Sequence, residues 1–526
     1  MAPRTAAATK TVTKETAAPK RKTALKSVPK PDLAPAKPRG RAPQPKVIEA
    51  KTDSPIEAFD PYAMLEKEID GMEKKFGLTS MSISEKDDRF GTGLLCVDLL
   101  LAGGLLAGGW YTFFGGEQSC KTTLATAVLG AIIRQIAFKG RAAFFDYEGS
   151  FAADYAESMW KYAANGRAHT VDNVFGVKDT EGNWIVTPRI RYYAPSVGED
   201  FYNYVAKLIK VLPDVILMDG QYYMIYENNR TNQAYLKGKY DKKYFAKYNK
   251  FKVPAPNGLP QAVILTDSYP AMLSGRVEGK DEGNDGVASQ ARMHSDGIKR
   301  LKGSMRRKRI VVFGINQLRT IPMVTHGPTE QEPCGLALKF FSDARFRMSS
   351  IANPHSKESG AKGYLDEEDS LDGEGVDTYR YIKCKTHKNK LGGIPGAEMI
   401  MRIRVHDANG QATGFDRVYD CWNYLKSTGQ ISGQRNKIKF GEGTPFAGKV
   451  VSWMELKALI DGDKEMIKAG CAKLIPGKRP LRIYEWCRDQ VASGKGYELY
   501  LQNIKNLNTK KKAKMALAGD DLDDEE

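Results

Sequence analysis

The chain has 526 residues, which suits one large domain or two to four smaller ones. Its hydrophobic content of 41% can build a core, and no run of 18 apolar residues occurs, so we expect no membrane span. The net charge of +17 favours an anionic partner, nucleic acid first, and the first 50 residues contribute +9 of it. Seven scattered cysteines without a C-x-x-C pair indicate a reducing compartment and argue against a zinc site. The basic N-terminus lacks the apolar segment of a signal peptide.

The N-terminal region divides into a tail and a helix. Residues 1–57 are rich in Ala, Pro, Lys and Thr and cannot bury enough apolar surface to offset their ordering entropy, so we predict a disordered basic tail. Such a tail serves either as a nonspecific DNA tether or as a solubilising segment. Residues 58–84 contain a helical pattern, which predicts a helix packed on its own domain or docked on another subunit. Its apolar face comprises Met64, Leu65, Ile69, Met72 and Phe76.

Strands alternate with helices through the middle of the chain. We predict buried strands at 110–115, 141–149, 261–269 and 309–317, and helices near 121–138, 199–211 and 287–306. This alternation predicts an α/β fold with a mostly parallel, helix-covered sheet.

Three further segments differ in composition from this core. Residues 220–258 contain seven tyrosines and seven lysines, too polar for a core strand and long for a connection, so we predict an insertion. It either contacts nucleic acid through charge and base stacking or forms a surface hairpin or subunit contact. Residues 446–508 are predicted to form a small separate domain. Residues 509–526 switch from basic to acidic and are predicted to be a disordered charged tail.

A phosphate-binding loop is predicted between the strand at 110–115 and the helix that follows it. The pattern G-x-x-x-x-G-K-[ST] requires backbone N–H groups and a helix N-terminus that face the phosphates. Lys121 would reach the β and γ oxygens, and Thr122 would hold Mg²⁺. The predicted nucleotide-binding residues of this stretch are Gly115, Gly116, Glu117, Gln118, Ser119, Cys120, Lys121, Thr122 and Thr123.

Cys120 stands where the pattern has its second glycine. If the backbone there requires a positive φ, a side chain is strained by roughly 1 kcal/mol, which weakens nucleotide binding without abolishing it. A thiol at a helix N-terminus beside Lys121 is also expected to have a lowered pKa. We assign it no catalytic role, because phosphoryl transfer needs no cysteine nucleophile.

Two carboxylates at strand ends complete the predicted site. Glu148 follows the strand "AAFFDYE", where it can orient or deprotonate the attacking water; the alternative is an ordinary acid at a strand end. Asp267 ends "AVILTD" and is predicted to support Mg²⁺. The stretch "DVILMDG" puts Asp219 at a similar strand end, which makes it the competitor for that role, but its position suits the start of the 220–258 insertion better.

The order of these motifs resembles the RecA family of homologous recombinases, most closely its divergent phage members, over residues 59–445. The resemblance rests on "EKEIDGMEKKFG", on "GTGLLCVDLLLAGGLLAGGWYTFFGGEQSCKTTLA", on "FFDYEGSF", on "VILTDS", on "VVFGINQLR", on "GLALKFFSDAR" and on "KTHKNKLGG". It implies a RecA-like P-loop ATPase core at 85–445, with the helix at 58–84 docking on the neighbouring protomer. It also implies that Glu148 is catalytic and that Gln317 senses the γ-phosphate.

The resemblance assigns further roles. Residues 274–291 and 318–334 resemble the first and second DNA-binding loops, although the acids of the first also suit a plain surface loop. The matching basic residues are Arg292, Lys299 and Arg319, suited to the DNA backbone. Lys388 and Lys390 resemble lysines that reach the ATP of the next subunit; alone, "KTHKNK" suits a solvated basic strand. Tyr155 resembles a tyrosine stacked on adenine, and Phe340 a residue that couples the subunit interface to the second loop.

The chain also departs from the family pattern. Cys120 replaces a loop glycine, and Ala152 replaces an acid that helps to read adenine, so the resemblance does not imply strict adenine preference. The 220–258 insertion and the basic tail have no counterpart, and 446–508 does not match the family's C-terminal domain.

The resemblance as a whole implies a cytoplasmic, DNA-associated ATPase that uses ATP and Mg²⁺. It would polymerise on single-stranded DNA as a helical filament, search double-stranded DNA for homology and exchange strands. A single-strand-binding protein and a loader are candidate partners. The alternatives are a ring helicase with the same core, a filament that binds but does not hydrolyse ATP, and an ATP-using small-molecule enzyme, which the charge disfavours.

Overall fold

The computed structural model describes residues 69, 71–72, 75, 89–135, 142–163, 170–255, 258–276, 285–321, 330–354, 366–369, 375–406, 414–434, 437–461 and 483–520. The chain forms two units, Met1–Leu78 and Thr79–Glu526. In the first unit the described residues Ile69, Gly71, Met72 and Lys75 are helical and exposed. The rest of the predicted docking helix, and the whole predicted tail at 1–57, lie outside the described residues.

The strands of the second unit are β1 Arg89–Phe90, β2 Leu105–Leu106, β3 Trp110–Gly115, β4 Ala142–Asp146, β5 Val177–Lys178, β6 Trp184–Val186, β7 Ile190–Tyr193, β8 Asp214–Met218, β9 Gln221–Glu227, β10 Lys250–Pro254, β11 Ala262–Asp267, β12 Ile310–Gln317, β13 Arg319–Thr320, β14 Glu330–Gln331, β15 Ala344–Ile351, β16 Asp366–Asp369, β17 Val376–Asn389, β18 Glu398–His406, β19 Gly414–Phe415, β20 Ile431–Gln434, β21 Lys437–Phe440 and β22 Val450–Val451.

Its helices are α1 Leu95–Leu100, α2 Lys121–Gln135, α3 Ala153–Ala163, α4 Val171–Phe175, α5 Gly198–Val211, α6 Arg230–Leu236, α7 Lys242–Lys247, α8 Asp285–Lys308, α9 Ala337–Phe341, α10 Arg417–Ser427, α11 Trp453–Asp461, α12 Ile483–Ala492 and α13 Lys495–Asp520, with a 3-10 turn at Tyr269–Ala271. No helix in the described part of the chain combines the length and the apolar character that a membrane crossing needs.

A ten-stranded sheet organises this unit. Its strand order is β19-β18-β17-β15-β3-β12-β11-β4-β7, and β16 pairs with β17. The strands from β15 to β7 are parallel to their neighbours, while β16 to β19 form an antiparallel extension. The four strands predicted from the sequence lie side by side as β3, β12, β11 and β4. The predicted α/β fold with a RecA-like, mostly parallel sheet is therefore confirmed.

Both faces of the parallel strands are buried. In β3, Tyr111 and Phe113 belong to the core under α2 and α3, whereas Trp110 faces the core under α5 and α8. Strands covered on both faces need apolar residues at every position, which explains the unbroken apolar runs in the sequence. Because these strands are parallel, their carboxyl ends lie at one edge of the sheet, where ligands bind in such folds.

The Tyr/Lys-rich segment folds as a small antiparallel sheet. β8, β9 and β10 pair in that order, with α6 and α7 between β9 and β10. Leu236, Phe251 and Val253 form a separate small core. The segment thus begins at β8, six residues before the predicted boundary of 220, because "DVILM" pairs with β9 rather than with the central sheet. Asp219 lies in the turn between β8 and β9 with φ 50°.

The described part of 446–508, predicted as a separate domain, packs on the same core as the central sheet. Trp453, Leu456 and Cys487 belong to the core cluster that contains Tyr111. The Tyr484 hydroxyl donates to the Gly93 carbonyl oxygen at 2.8 Å. The predicted disorder from residue 509 is wrong up to Asp520, since α13 continues to that residue. The stretch "KKKAKMALA" consists of strong helix formers, and their propensity outweighed the charge on which the prediction was based.

Candidate nucleotide site and DNA-facing loops

The predicted phosphate loop joins β3 to α2 at the carboxyl edge of the sheet. A Cβ at Gly115 would lie 2.3 Å from the Met348 carbonyl oxygen, so only glycine fits there. The Ser119 hydroxyl donates to the Gly116 carbonyl oxygen at 2.8 Å, and Lys121 Nζ donates to the same oxygen at 2.6 Å. Glu117 and Gln118 are exposed at the tip. The loop is thus a closed turn with Lys121 held over its backbone.

Cys120 adopts a left-handed conformation with φ 60°, and Gln118 does so with φ 56°. Because φ is positive, the side chain of Cys120 is strained, at a cost of roughly 1 kcal/mol for a residue with a Cβ. The expected lowering of its pKa is wrong. Burial raises the pKa of the Cys120 thiol, and the nearby Arg380 and Lys121 offset this in part. A protonated thiol is a poor nucleophile, which agrees with a structural role.

Thr122 and Asp267 meet beside the loop. The Thr122 side chain is hydrogen-bonded to Asp267, and burial raises the pKa of that carboxyl to about 7. Asp267 Oδ2 is buried and has no hydrogen-bond partner among the described residues. A hydroxyl beside a buried carboxylate oxygen with spare capacity fits the oxygen ligands that Mg²⁺ prefers. Burial also lowers the pKa of Lys121, against the attraction of Asp267 and Glu148.

Glu148 and Gln317 are in direct contact. Gln317 Nε2 donates to Glu148 Oε1 at 2.6 Å, and the Ser268 hydroxyl donates to the same oxygen. Gln317 ends β12 directly opposite Gly115 of β3, so the strand register brings it to the loop. The backbone N–H of Glu148 donates to the Asp267 carbonyl oxygen at 3.3 Å. The ends of β4, β11 and β12 therefore place the carboxylate, its amide partner and the candidate metal ligand at one edge.

Tyr155 of α3 lies beside the start of α2. Its hydroxyl is 2.9 Å from the Thr123 hydroxyl. Arg380 of β17 completes this side of the site, since its charge acts on both Cys120 and Tyr155. Its Nε is buried without a hydrogen-bond partner among the described residues. The sequence analysis missed Arg380, because one arginine in an alternating strand 260 residues after Cys120 gives no local signal.

The first predicted DNA-binding loop is anchored at its described start. Glu199 accepts hydrogen bonds from the Ser274 hydroxyl at 3.2 Å and from the Gly275 N–H at 2.9 Å. Residues 277–284 lie outside the described residues, and α8 begins at Asp285. Arg292 and Lys299 are exposed and, seven residues apart, share a face of α8. Arg292 also pairs with Asp296 at 3.6 Å.

The second predicted loop emerges from a hairpin. Arg319–Thr320 pairs with Glu330–Gln331, and these residues are exposed, while 322–329 lie outside the described residues. Glu332 at the base of the hairpin forms a buried ion pair with Arg345 and accepts a hydrogen bond from Asn316. Gln317 is two residues before Arg319, so the last residue of β12 lies directly before the hairpin.

Comparison with known proteins gives concordant matches. Residues 260–365 match the RecA N-terminal domain family. Protein RecA of Rubrobacter xylanophilus is 25% identical over 301 residues, covering 56% of this chain and 66% of that protein. Protein RecA of Aquifex pyrophilus is 34% identical over 131 residues, covering 24% and 32%. Protein RecA of Bacillus subtilis is 25% identical over 296 residues, covering 55% and 64%.

Parts of the chain are thus similar to proteins of the RecA family. The chain spans between about a third and two thirds of the length of these curated relatives. A crystal structure of the RadB recombinase aligns with 60% of this chain and 96% of its own, at 15% identity and a TM-score of 0.32. The likeness to phage members of the RecA family stays a prediction.

In this RecA-like core, Lys388 and Lys390 lie away from the phosphate loop of their own chain. The Lys390 N–H donates to the Asp343 carbonyl oxygen at 2.8 Å, and Asp343 Oδ2 accepts from the N–H of Trp110, the first residue of β3. The loop follows the other end of β3, about 16 Å along the strand. Lys388 Nζ donates to the Phe340 carbonyl oxygen at 2.5 Å, and burial, with Lys390 nearby, lowers its pKa to about 8. The structure thus does not bring Lys388 and Lys390 to the nucleotide site of the chain that carries them.

Phe340 is exposed on α9 next to Lys388. It is 65% exposed and Leu336, one turn earlier, is 62% exposed. Phe340 on α9 and Leu336, the N-cap residue that precedes this helix, are thus two exposed large apolar side chains four residues apart, and together we call them the apolar patch.

Proposed function

We propose that this protein is an ATP-dependent DNA strand-exchange protein that polymerises on single-stranded DNA, with ATP and Mg²⁺ at the interfaces between subunits. The observation that carries the proposal is the contact of Gln317 with Glu148 at 2.6 Å, two residues before the hairpin of the second loop. This contact joins the candidate hydrolytic carboxylate to a DNA-facing loop. A small-molecule kinase or ATPase has no need of that connection.

In the proposed reaction, the chain orients ATP and a water molecule. Lys121 and the loop N–H groups bind the phosphates, and Tyr155 lines the side where a base would stack. Glu148, fixed by Ser268 and Gln317, orients the water and accepts its proton. Mg²⁺ would be held by Thr122 and Asp267 and would neutralise phosphate charge. Hydrolysis breaks the contact of Gln317 with the γ-phosphate and so changes the state of the second loop.

The proposed site is completed by a neighbouring subunit. Lys388 and Lys390 would act on the ATP of the next protomer as cations that neutralise the charge of the transition state. The apolar patch of Leu336 and Phe340 lies beside Lys388 and would be covered in the same contact. A repeated contact of this kind is heterologous, which generates a helical filament when the rotation does not close.

We propose that Arg292, Lys299 and Arg319 contact the DNA backbone, that duplex DNA is the second substrate, and that the protein acts in the cytoplasm. A single-strand-binding protein and a loader remain proposed partners.

The first experiment is ATP hydrolysis by the purified chain with and without single-stranded DNA. We expect strong stimulation by DNA in the wild type, and a loss of about 100-fold or more in Lys121→Ala, which removes the cation on the phosphates. Lys437→Ala, an exposed lysine on β21, serves as the control. An unchanged rate in Lys121→Ala would reject the site.

Two outcomes separate the rival functions. Closed rings in electron micrographs of the ATP-bound protein would indicate a helicase, and helical filaments would support the proposal. DNA binding without hydrolysis would indicate a filament that only binds ATP, and Cys120→Gly would then test whether the strained loop is the cause.

A further inference from the structure

The positive charge of this protein is concentrated in two segments. The first 50 residues carry +9 of the net +17, and residues 228–255 carry eight lysines and arginines against one aspartate, or +7. The rest of the chain is therefore nearly neutral. The lysines of the second segment at 237, 239, 242, 243, 247, 250 and 252 are all exposed. Asp241, the one acid, pairs with Lys243 at 3.8 Å and cannot neutralise the others.

This charge is displayed on a folded platform. β8, β9 and β10 form a sheet, and the buried Phe251 and Val253 of β10 pack against Leu236 of α6. Phe245 of α7 packs on Phe251, with 4.8 Å between the ring centres. Lys308 Nζ, at the C-terminus of α8, forms an ion pair with Asp214 of β8 at 2.9 Å. α8 ends where the parallel strands begin, so the platform is attached at the edge of the sheet opposite the two predicted DNA-binding loops.

Tyrosine rings line the helical side of the platform. The rings of Tyr240 and Tyr244 are 6.5 Å apart, and those of Tyr244 and Tyr248 are 6.0 Å apart and inclined by 30°. Tyr244, Tyr248 and Tyr235 are 36%, 44% and 48% exposed. Tyr235 is itself packed against Tyr226 at 5.2 Å. Each exposed ring is therefore supported by another ring while part of it remains open to solvent.

Each exposed ring is paired with an ammonium group. Lys239 Nζ lies 5.2 Å from the ring centre of Tyr235, Lys243 Nζ 5.2 Å from that of Tyr244, and Lys247 Nζ 5.3 Å from that of Tyr248. We call these six residues the Tyr/Lys surface. Alternation of rings and cations matches a polymer that alternates bases with phosphates, because bases stack on rings and phosphates attract lysines.

We propose that the Tyr/Lys surface is a second binding site for single-stranded nucleic acid, separate from the two loops of the core. Single strands fit it better than a duplex, because a duplex hides the base faces that the tyrosines would stack on. An acidic peptide would satisfy the lysines but leave the rings without a partner. The site goes beyond the proposed strand exchange, since it gives each protomer a contact for a second strand.

The test is binding of a fluorescein-labelled oligothymidylate to the full-length chain without nucleotide, measured by anisotropy over a series of salt concentrations. We expect Tyr244→Ala/Tyr248→Ala to lower the affinity about ten-fold or more, through lost stacking. Tyr244→Phe/Tyr248→Phe keeps both rings and should bind within two-fold of the wild type by the same principle. The alanine variant should lose affinity for an oligouridylate to the same extent as for the oligothymidylate, because stacking and charge do not depend on the sugar.

The lysines are tested by the salt dependence. Lys243→Gln/Lys247→Gln should reduce the slope of log affinity against log salt by about 1.4, because two phosphate contacts are lost from a single strand. Lys437→Gln/Lys439→Gln removes the same charge from the exposed positions of β21 and should leave the slope unchanged.

Two results would overturn the site. The first is wild-type affinity and slope in both the tyrosine and the lysine variants. The second is a Tyr244→Ala/Tyr248→Ala variant that binds nucleic acid like the wild type but sediments differently in the absence of nucleic acid. That result would make the surface a contact between copies of this chain. Because these assays contain no ATP, absence of DNA-stimulated hydrolysis would reject the proposed function and leave this test intact.

Discussion

Cys120 shows how one residue type is accommodated in an unfavourable backbone conformation. Its φ of 60° belongs to the region where a Cβ costs roughly 1 kcal/mol. The thiol is packed against the core under α2, and Arg380 and Thr123 interact with it. These contacts offset part of the strain and leave the loop closed, with Lys121 above it. The predicted lowering of the Cys120 pKa is wrong because burial outweighs the effect of the two nearby cations.

At the residue scale, His294 predicts a pH dependence of stability. Burial lowers its pKa to about 3, and its Nδ1 lies 2.6 Å from the Tyr202 hydroxyl. An unfolded histidine titrates near pH 6.5, so below that pH the unfolded state takes up a proton that the folded state does not. Stability is therefore lost as pH falls from about 6.5 towards 3.

The measurement is urea denaturation of the wild type and of His294→Gln at pH 7 and pH 5. The wild type should lose about 2 kcal/mol more than the variant over this interval, since the glutamine does not titrate. Equal losses in the two proteins would show that His294 is protonated in the folded state at pH 5.

At the scale of elements, the hairpin β13–β14 connects the nucleotide site to the second loop. Two ion pairs hold it, one buried and one exposed. Glu332 and Arg345 have side chains 8% and 9% exposed, whereas those of Glu330 and Arg347 are both 38% exposed. This difference in burial gives the hairpin a firm base and a weakly held outer part.

The two pairs predict different costs for the same substitution. Glu332→Ala leaves a buried guanidinium without its carboxylate and should lower the free energy of unfolding by about 3–5 kcal/mol. Glu330→Ala breaks an exposed pair and should cost about 0–1 kcal/mol. Denaturant titrations of the two variants measure the loss of the free energy of unfolding in each. A similar loss at both positions would mean that Arg345 finds another partner or water when Glu332 is removed.

At the scale of the whole molecule, the residues that we propose as catalytic lie at two opposite edges of the central sheet. Glu148, Lys121 and Thr122 lie at the carboxyl edge of the sheet, whereas Lys390 lies beside the start of β3. A single chain therefore does not bring its full set of proposed groups together. On the proposed function, this division predicts that activity depends on assembly.

Assembly predicts complementation between two inactive variants. Glu148→Gln lacks the hydrolytic carboxylate but keeps the loop, and Lys388→Ala/Lys390→Ala lacks the lysines but keeps the carboxylate. In an equimolar random filament about a quarter of the interfaces combine both intact halves, so the mixture should recover about a quarter of the wild-type rate. A mixture as inactive as its components would show that the lysines do not act across an interface.

The sequence alone determined the central strands and the motifs at their ends. Apolar runs such as "AVILTD" identify buried strands, because strands covered on both faces need apolar residues throughout. The loop from Gly115 to Lys121 is predictable because its chemistry lies within one turn and one helix start. The carboxylates Glu148 and Asp267 are predictable because parallel strands present their carboxyl ends at one edge.

The tertiary structure decided what depends on pairing between distant segments. The segment "DVILM" resembles a strand of the central sheet, but its partner is β9, so Asp219 lies in a turn away from the candidate Mg²⁺ ligands Thr122 and Asp267. Arg380 reaches Cys120 through the antiparallel extension of the sheet, a contact no local pattern encodes. The described part of 446–508 shares the main core because Trp453 and Cys487 find their partners there. Local sequence sets which residues can be buried or charged, while strand order and register decide which of them meet.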